Sequence, residues 1–414
     1  MRLTRRSFLG FLSAALLLPS TKLLGIGRSR RFRVRTVTAG APLLDPADLS
    51  PVRDAISFLG RARSDLTERG HEVQTVRVAT QPLAEYLPDW KSEAAIRVIE
   101  GFDRTAREAN LVLSVGPVLD LEGYDPDFGP WAAEILRRTT QVSLSVTVAS
   151  EEGGIHRGNV QAAAEAIVAI SRGTPSGIGN FRFAAAAMVP PGTPFFPVAR
   201  FTQERTFSVG LESPNLLLEA IEAAGREATI QVLRSHLEAE MSPLDEAARQ
   251  LAAREGWQYL GLDVSPAPGL DASIGAVIEA RSGVPFGEPS TLDACAALTE
   301  VLQGLDLQTC GYSGLMLPVL EDPILAQRAA EGRYGIPDLL LYSSVCGTGL
   351  DVVPIAGSVS AADLERLIGD VAALARRYQK PLSARLFPVP GKEPGDAVSF
   401  NDPYLTDGVV MPLR

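Results

Sequence analysis

Cysteine and histidine are scarce in this 414-residue chain, which contains three of each. Cys295, Cys310 and Cys346 are too few for a disulfide framework, and no two of them have the C-x-x-C spacing of a zinc or redox site. The histidines lie far apart in the sequence and form no H-E-x-x-H pattern. The sequence therefore argues against a histidine-rich metal site, although it leaves a site made only of carboxylates open. We assign no residue to a metal and identify no cofactor.

Common nucleotide-binding and hydrolase motifs are also missing. No G-x-G-x-x-G, G-x-x-x-x-G-K or G-x-S-x-G pattern falls at a strand-to-helix junction. Seven of the 39 basic residues lie in residues 1–31, which contain no acidic residue. The rest of the chain carries 32 basic against 49 acidic side chains, a net charge of −17. Such a surface repels phosphate groups, so we expect no nucleic acid partner.

Long apolar runs are absent as well, but residues 1–31 have the layout of an export leader. Thr4-Arg5-Arg6-Ser7-Phe8-Leu9 joins two arginines to an apolar stretch, Phe8 to Leu18, of 11 residues. A spanning helix needs about 17–25 residues. We therefore predict a twin-arginine signal, and export of the folded protein by the twin-arginine translocase to the periplasm or the cell exterior. Membrane contact is expected only through this leader, and the sequence leaves open whether the leader is cleaved or retained as a tether.

From residue 32 onward, strand-like segments alternate with helix-like segments. Ser50-Pro51 opens a helix, and Ser360 with Asp363 three residues later begins another. A long helical tract covers residues 215–255 and is expected to break at Ser242-Pro243. Strands are predicted at residues 33–38, 72–80, 111–118, 142–149, 181–189, 207–211, 259–264, 314–320, 339–345 and 382–389. This pattern predicts one α/β domain over residues 32–414, closed into a barrel, with residues 215–255 as a helical elaboration.

Four loops rich in glycine and proline follow apolar strands, where parallel sheets bind their ligands. Gly347 and Gly349 around Thr348 would let backbone amides approach an anion closely. Arg385 lies within an apolar strand, so it is either paired with a carboxylate or free to bind one. The four loops are GLDVSPAPG (261–269), CGYSGLMLPVLED (310–322), VCGTGLDVVPIAG (345–357) and SARLFPVPGKEPGD (383–396). The residues assigned to ligand binding are Arg385, Lys392, Gly347, Thr348, Gly349, Ser265 and Asp322.

Three residues of the same loops are candidates for catalysis. Cys346 ends a predicted strand before a glycine loop, where amide dipoles or Arg385 could ionise its thiol. The alternative is that Cys346 is inert core packing. Asp263 and Asp351 follow apolar runs and are candidate general bases. The alternative for either aspartate is a structural ion pair with Arg385.

The loop motifs, taken in order, resemble a known family. RVRTVTAG (33–40), FRFAAAAMVPPGTPFF (181–196), FSVGLESP (207–214) and the four loops resemble uncharacterised protein family 0210, also called domain of unknown function 711 and labelled "pyruvate formate-lyase family". The resemblance covers essentially residues 32–414. It implies a ten-stranded α/β barrel like that of the glycyl radical enzymes, with polypeptide entering the barrel. The family's reaction is not established, so the resemblance implies a fold and a site.

Three functions are compatible with these observations. The favoured hypothesis is a non-radical enzyme that acts on a small anionic metabolite. The alternative is a protein that binds or senses a small molecule without converting it. A glycyl radical enzyme is less favoured, because Gln308 replaces the arginine expected before Cys310-Gly311-Tyr312 and about 100 residues follow Gly311. The sequence leaves open whether identical copies associate into a homo-oligomer.

Overall fold

The computed structural model of the chain describes residues 32–202 and 204–413, and strands alternate with helices along this length. The predicted leader, residues 1–31, lies outside the described residues. The strands are β1 (Arg33–Gly40), β2 (Val73–Ala79), β3 (Val112–Leu119), β4 (Val142–Ser150), β5 (Gly154–Ile155), β6 (Phe183–Ala187), β7 (Thr206–Glu212), β8 (Gln258–Asp263), β9 (Gly349–Ala356), β10 (Leu382–Val389), β11 (Ala397–Val398) and β12 (Gly408–Val409).

The helices begin and end at recognisable sequence signals. The α1 helix has Pro51 in its first turn, and the α12 helix begins with a capping box formed by Ser360 and Asp363. The helices are α1 (Ser50–Glu68), α2 (Leu83–Tyr86), α3 (Glu93–Glu108), α4 (Phe128–Arg138), α5 (Arg157–Gly173), α6 (Pro214–Ala224), α7 (Ile230–Glu255), α8 (Ile274–Ser282), α9 (Thr291–Gln303), α10 (Pro323–Ala330), α11 (Ile336–Tyr342) and α12 (Ala361–Tyr378). A 3₁₀ helix covers Pro175–Arg182.

A large, mostly parallel ten-stranded sheet organises the molecule. Its order is β8-β7-β1-β2-β3-β4-β6-β10-β9, and β5 pairs with β4. Strands β1, β2, β3, β4 and β6 are mutually parallel. The other five run the opposite way, because β7 is antiparallel to β1, β10 to β6 and the short β5 to β4, while β8 and β9 are parallel to β7 and β10. The sheet thus consists of two parallel groups in opposite directions.

The strand order has two ends, β8 and β9, rather than closing on itself. The structure therefore confirms the predicted α/β fold, with a ten-stranded sheet, but it does not show the predicted closed barrel. Residues 308–319 contact both ends. Leu262 donates to the carbonyl of Gln308 at 2.8 Å, and Val319 donates to the carbonyl of Asp351 at 3.0 Å. This segment was predicted to contain a strand at residues 314–320, but it makes only isolated bridges.

Helices cover the sheet with apolar side chains. Phe58 on α1 is fully buried, stacks on Trp257 with ring centroids 4.2 Å apart, and packs against Phe207 of β7. On α12, Leu364 and Ile368 are fully buried in a stripe at helical spacing. Each such side chain contributes roughly 1.5–3 kcal/mol through burial. The core therefore lies between the helices and one face of the sheet.

Three further local predictions are wrong. Residues 339–345 do not form a strand, because α11 ends at Tyr342 and is followed by turns. The loop predicted after them contains strand β9 instead. The helical tract is interrupted at residues 225–229, and α7 runs through Pro243 without a break.

Candidate ligand-binding site

A cavity of about 510 Å³ lies against strands from both groups of the sheet. Its charged lining includes three buried arginines, one each on β1, β2 and β10, and three carboxylates. The arginines are Arg35, Arg77 and Arg385, and the carboxylates are Glu321, Asp351 and Asp402. The volume falls in the range of about 300–1,000 Å³ that is typical of sites for metabolite-sized ligands.

The sheet curves enough to bring distant strands to this cavity. Glu321 lies 3.8 Å from Arg35 on β1 and 2.6 Å from Arg385 on β10. Four strands separate β1 from β10 in the sheet order. Since one carboxylate reaches both arginines, the two strands must face each other across the cavity.

Arg385 is held by two carboxylates. Its Nε donates to Asp351 at 2.7 Å and its Nη2 donates to Glu321 at 2.6 Å. Burial by itself lowers the pKa of Arg385, but the two negative charges outweigh burial and raise it. Burial raises the pKa of Glu321, and Arg385 offsets only part of that effect. Arg385 is thus a fixed cation, and Glu321 is a carboxyl group with an increased affinity for a proton.

Arg35 also has a carboxylate partner. Its Nη1 donates to Glu212 at 2.9 Å and to the side-chain oxygen of Gln74 at 3.2 Å. Glu212 lies on β7, which pairs directly with β1, so the sheet itself places this ion pair. Arg35 is therefore neutralised without a ligand.

Arg77 differs from the other two arginines because no carboxylate within the described residues lies at ion-pair distance from it. Its Nε is buried and has no hydrogen-bond partner there. The pKa of Arg77 is lowered to about 9, mainly by burial and to a smaller extent by the positive charge of the neighbouring Arg35. The negative charge of Glu321 acts on Arg77 only from beyond ion-pair distance. The fold therefore keeps in the cavity wall a guanidinium that no carboxylate of the described residues contacts directly.

Each of the three arginines lies over an aromatic ring. Arg77 is 5.2 Å from the ring centroid of Phe196, and Arg385 is 5.0 Å from that of Phe181. Arg35 lies 5.0 Å from the ring of Tyr404, in the segment after β11. The Phe181 and Phe196 rings contact each other edge to face, with centroids 5.6 Å apart. Such contacts stabilise the guanidinium groups and still allow hydrogen bonds from their edges.

The Thr348 side chain belongs to the cavity, and the glycines beside it serve close packing. Thr348 lines the cavity, and its buried Oγ1 has no hydrogen-bond partner among the described residues. At Gly347 an added Cβ would lie 2.6 Å from the Cα of Gly314. Gly349 has a φ of +86°, and its Cβ would lie 2.4 Å from the carbonyl oxygen of Ser383. Neither glycine lines the cavity.

Asp263 and Ser265 organise a loop instead of facing the cavity. Asp263 accepts hydrogen bonds from the amides of Tyr312 at 2.8 Å and Ser313 at 3.0 Å, and from the Ser265 hydroxyl at 2.6 Å. Burial raises the pKa of Asp263, although these hydrogen bonds oppose the rise. The Ser265 hydroxyl also accepts from the amide of Gly314 at 3.1 Å. Neither residue lines the cavity, so both hold residues 312–314 in place.

Asp322 caps two helices. It is fully buried and accepts from the amides of Ile324 and Leu325 at the start of α10. It also accepts from Ile274 at 2.6 Å, at the start of α8. A carboxylate at two helix N-termini is stabilised by their dipoles and amides. Asp322 therefore joins α8 to α10 and lies outside the cavity lining.

Cys346 and Lys392 also lie outside the cavity lining. The Cys346 thiol is buried and donates to the carbonyl of Tyr342 at 2.8 Å. It adjoins Cys295, whose pKa is raised by a hydrogen bond with Cys346 and by burial. Lys392 lies in the turn after β10, where its backbone accepts a hydrogen bond from Gly357. The structure thus brings Arg385, Asp351 and Thr348 together and leaves the other predicted residues apart.

Sequence reasoning missed Arg35, Arg77 and Glu321. The alternation of Arg with Val in β1 and β2 was visible, but such a pattern is equally typical of a strand with one solvated face. Glu321 was part of the loop at residues 310–322 without being singled out. The useful signal was that Arg35 and Arg77 lie on two strands that pair with each other.

Comparison with known proteins identifies the family. A family model described as "Uncharacterised ACR (DUF711)" matches residues 27–401. The chain belongs to this family. It is 29% identical over 412 residues to a UPF0210 protein of Pyrobaculum aerophilum, covering 90% of this chain and 85% of that protein. It is 30% identical over 414 residues to a UPF0210 protein of Pyrobaculum islandicum, with 91% and 89% covered. A UPF0210 protein of Oleidesulfovibrio alaskensis is 28% identical over 418 residues, with 93% and 91% covered.

Among residues 32–202 and 204–413, no three His, Cys, Asp or Glu side chains are grouped so that they could hold a metal ion. No helix in the described part of the chain combines the length and apolar character needed to cross a membrane.

Proposed function

We propose that this DUF711 protein binds a small anionic metabolite in the cavity lined by Arg77 and Arg385. The observation that carries the proposal is the position of Arg77, a buried cation in a cavity wall with no carboxylate of the described residues at ion-pair distance. An unpaired buried charge is costly, whereas a bound anion would neutralise it and form charge-assisted hydrogen bonds. Binding is therefore the event that would complete this site.

The other polar groups fit supporting roles. The hydroxyl of Thr348, which lacks a partner among the described residues, would donate to the same ligand. Arg385 is already oriented by Asp351 and Glu321, so it would present a fixed edge to the ligand. Arg35 is paired with Glu212 and would contribute mainly to the positive potential.

Catalysis is the second candidate function, and Glu321 is the residue that favours it. Its carboxyl group lines the cavity, and burial raises its pKa, as is common for groups that transfer protons. In this proposal the acid–base group is Glu321 rather than Asp263, because Asp263 accepts hydrogen bonds that hold the loop at residues 312–314 in place. Cys346 has no role, because its thiol is packed against α9 and not exposed to the cavity. Radical chemistry at Gly311 is not part of the proposal, since that glycine lies outside the cavity lining.

We also propose that residues 308–319 complete the curved sheet into a barrel around the ligand. Their backbone hydrogen bonds to Leu262 on β8 and to Asp351 on β9 support this closure. Tyr312 and Met316 of the same segment line the cavity. The segment would therefore be both the last wall of the barrel and part of the binding site.

The binding proposal is tested with an Arg77→Met variant of the full chain. A thermal-shift screen of anionic metabolites should give at least one hit with the wild-type protein, and the variant should lose at least tenfold in affinity for it. The control is Arg69→Met, because Arg69 is exposed and paired with Asp65 at 3.0 Å far from the cavity. Product analysis of each hit separates the two functions, since a ligand recovered unchanged favours binding alone. Equal affinity of the Arg77→Met variant and the wild-type protein would contradict the proposal.

A further inference from the structure

The walls of the cavity beyond the arginines are mostly apolar. Phe181, Phe196 and Ile178 line one part of it, and Phe195 and Met316 belong to a separate buried apolar cluster that also lines it. A volume of about 510 Å³ is much larger than a carboxylate or phosphate group needs. The ligand therefore has a substantial apolar body in addition to its charge.

The charges of the lining set how many anionic groups that ligand can carry. Arg35 and Arg385 are paired with carboxylates. Arg137 is exposed and paired with Glu134 at 2.8 Å. Arg182 donates to the backbone carbonyls of Val142 and Thr139. Arg182 therefore has no carboxylate partner within the described residues either, but its Nη atoms already donate to the Thr139 hydroxyl and to backbone carbonyls. Among the residues that the structure describes, Arg77 is the lining arginine with a buried nitrogen, Nε, that has no hydrogen-bond partner, so one negative group binds there.

A second negative group would meet carboxylates. Asp351 and Glu321 flank Arg385 and already occupy its Nε and Nη2. A dianion in contact with Arg77 would bring its second charge toward these groups without a free cation to neutralise it. Burial of an unpaired charge is strongly unfavourable, so dianions are selected against.

The aromatic rings give the position of the apolar body. Arg77 lies over Phe196, which contacts Phe181 edge to face. Atoms next to the bound anionic group therefore meet the Phe181–Phe196 wall. A planar ring in the ligand can stack on or pack against such a wall, which contributes about 0.5–1.5 kcal/mol beyond simple burial.

We propose that the ligand is a monocarboxylate with a ring-sized apolar body. This inference rests on the proposed function and specifies its ligand class. The carboxylate binds Arg77 and the hydroxyl of Thr348, and the apolar body packs against Phe181, Phe196 and Met316.

The test uses four probes with the full-length protein: phenylacetate, acetate, phenylsuccinate and 2-phenylethanol. Titration calorimetry should show phenylacetate binding at least tenfold more tightly than acetate, phenylsuccinate and the neutral alcohol. Phe196→Leu should weaken phenylacetate at least threefold while leaving acetate unchanged. Arg77→Met should weaken the binding of phenylacetate and of acetate, because it removes the positive charge that binds their carboxylate groups.

The outcomes separate this inference from the proposed function. If phenylsuccinate or acetate binds as tightly as phenylacetate and Arg77→Met abolishes that binding, the ligand class is wrong while the anion site stands. If the neutral alcohol binds as tightly as phenylacetate, or if Arg77→Met leaves phenylacetate binding unchanged, the anion site fails too. If the Phe196→Leu variant binds phenylacetate as tightly as the wild-type protein does, the proposed position of the apolar body is wrong.

Discussion

At the scale of single residues, Arg77 destabilises the empty protein. Burial depresses its pKa to about 9, so the folded state holds the proton less tightly than the unfolded chain does. The resulting decrease in the free energy of unfolding is fully present below pH 9 and becomes smaller as the pH rises above 9. Each pKa unit corresponds to about 1.4 kcal/mol. A methionine of similar length would fill the same space without a charge.

Arg77→Met should therefore stabilise the protein while removing ligand binding. We expect the free energy of unfolding at neutral pH to rise by on the order of 1–3 kcal/mol, as for other sites where function opposes stability. Urea denaturation of both proteins measures the difference, and the gain should shrink near pH 10. Arg69→Met should stay within about 0.5 kcal/mol of wild type. A less stable Arg77→Met variant would mean that the fold already neutralises Arg77.

In the proposed site, Glu321 should make ligand binding depend on pH. Burial raises its pKa above the ordinary value of 4.5, and the adjacent charge of Asp351 adds to the rise, while Arg385 and Arg35 oppose it. Arg77 keeps its charge throughout the acidic and neutral range, because its pKa is about 9. A protonated Glu321 makes the cavity more positive by one charge. Anion affinity should therefore increase as the pH falls through the raised pKa.

Titrations with phenylacetate between about pH 8 and pH 5.5 test this coupling. The affinity should increase toward low pH by at most about tenfold per unit, the limit for uptake of one proton. Glu321→Gln should bind with little pH dependence over the same range. A wild-type affinity that does not change with pH would show that Glu321 keeps one protonation state.

The placement of the predicted site residues shows what sequence can indicate at this scale. Arg385, Asp351 and Thr348 reach the cavity because polar groups within or beside buried strands have few other places to lie. Cys346 and Asp263 have the same local pattern, yet their partners, Tyr342 and the amides of residues 312–313, come from loop geometry. Such geometry depends on distant segments and has no signature in a short sequence window.

At the scale of elements, most strands and helices follow from local signals. The predicted strand at residues 142–149 and the predicted helix at Ser360 agree with β4 and α12, because hydrophobic periodicity and a capping box define them. The α11 helix was mistaken for a strand, because its leucine run is short and fits either structure. Pro337 in its first turn and Asp338 at its capping position were the signals that indicated a helix.

Strand β9 was predicted as a loop because it contains glycine and proline. The run Gly349 to Ala356 contains one of each, and such residues usually mark loops. Here Gly349 lets the chain approach the carbonyl of Ser383 at the start of the pairing with β10. Pro243 in α7 is the converse case, since a helix continues through a residue that usually ends one. Tertiary packing decides both cases.

At the scale of the whole molecule, the sheet joins segments that are far apart in sequence. Arg33 on β1 pairs with Glu212 on β7, and their side chains form a bond across 179 positions. Near the other end of the order, β6 pairs with β10, which is among the last strands of the chain. Non-local pairing of this kind folds slowly. The cavity cannot form until β10 has been added.

This order of assembly suits export in the folded state. We propose that the protein leaves the cytoplasm through the twin-arginine translocase, directed by Arg5-Arg6 and the apolar stretch from Phe8 to Leu18. A route that accepts folded proteins would allow the sheet to be completed, and a ligand to be bound, before translocation.

Replacing Arg5-Arg6 with Lys-Lys tests this proposal, because the charge is kept while the arginine pair is lost. Cell fractionation should show the wild-type protein outside the cytoplasm and the variant retained inside it. The same exchange at Arg30-Arg31 is the matched control and should leave export unchanged, because that basic pair follows the apolar stretch. Export of the Arg5-Arg6 variant at the wild-type level would contradict the twin-arginine route. A wild-type protein found only in the cytosol would contradict export itself, and the ligand would then come from the cytoplasm.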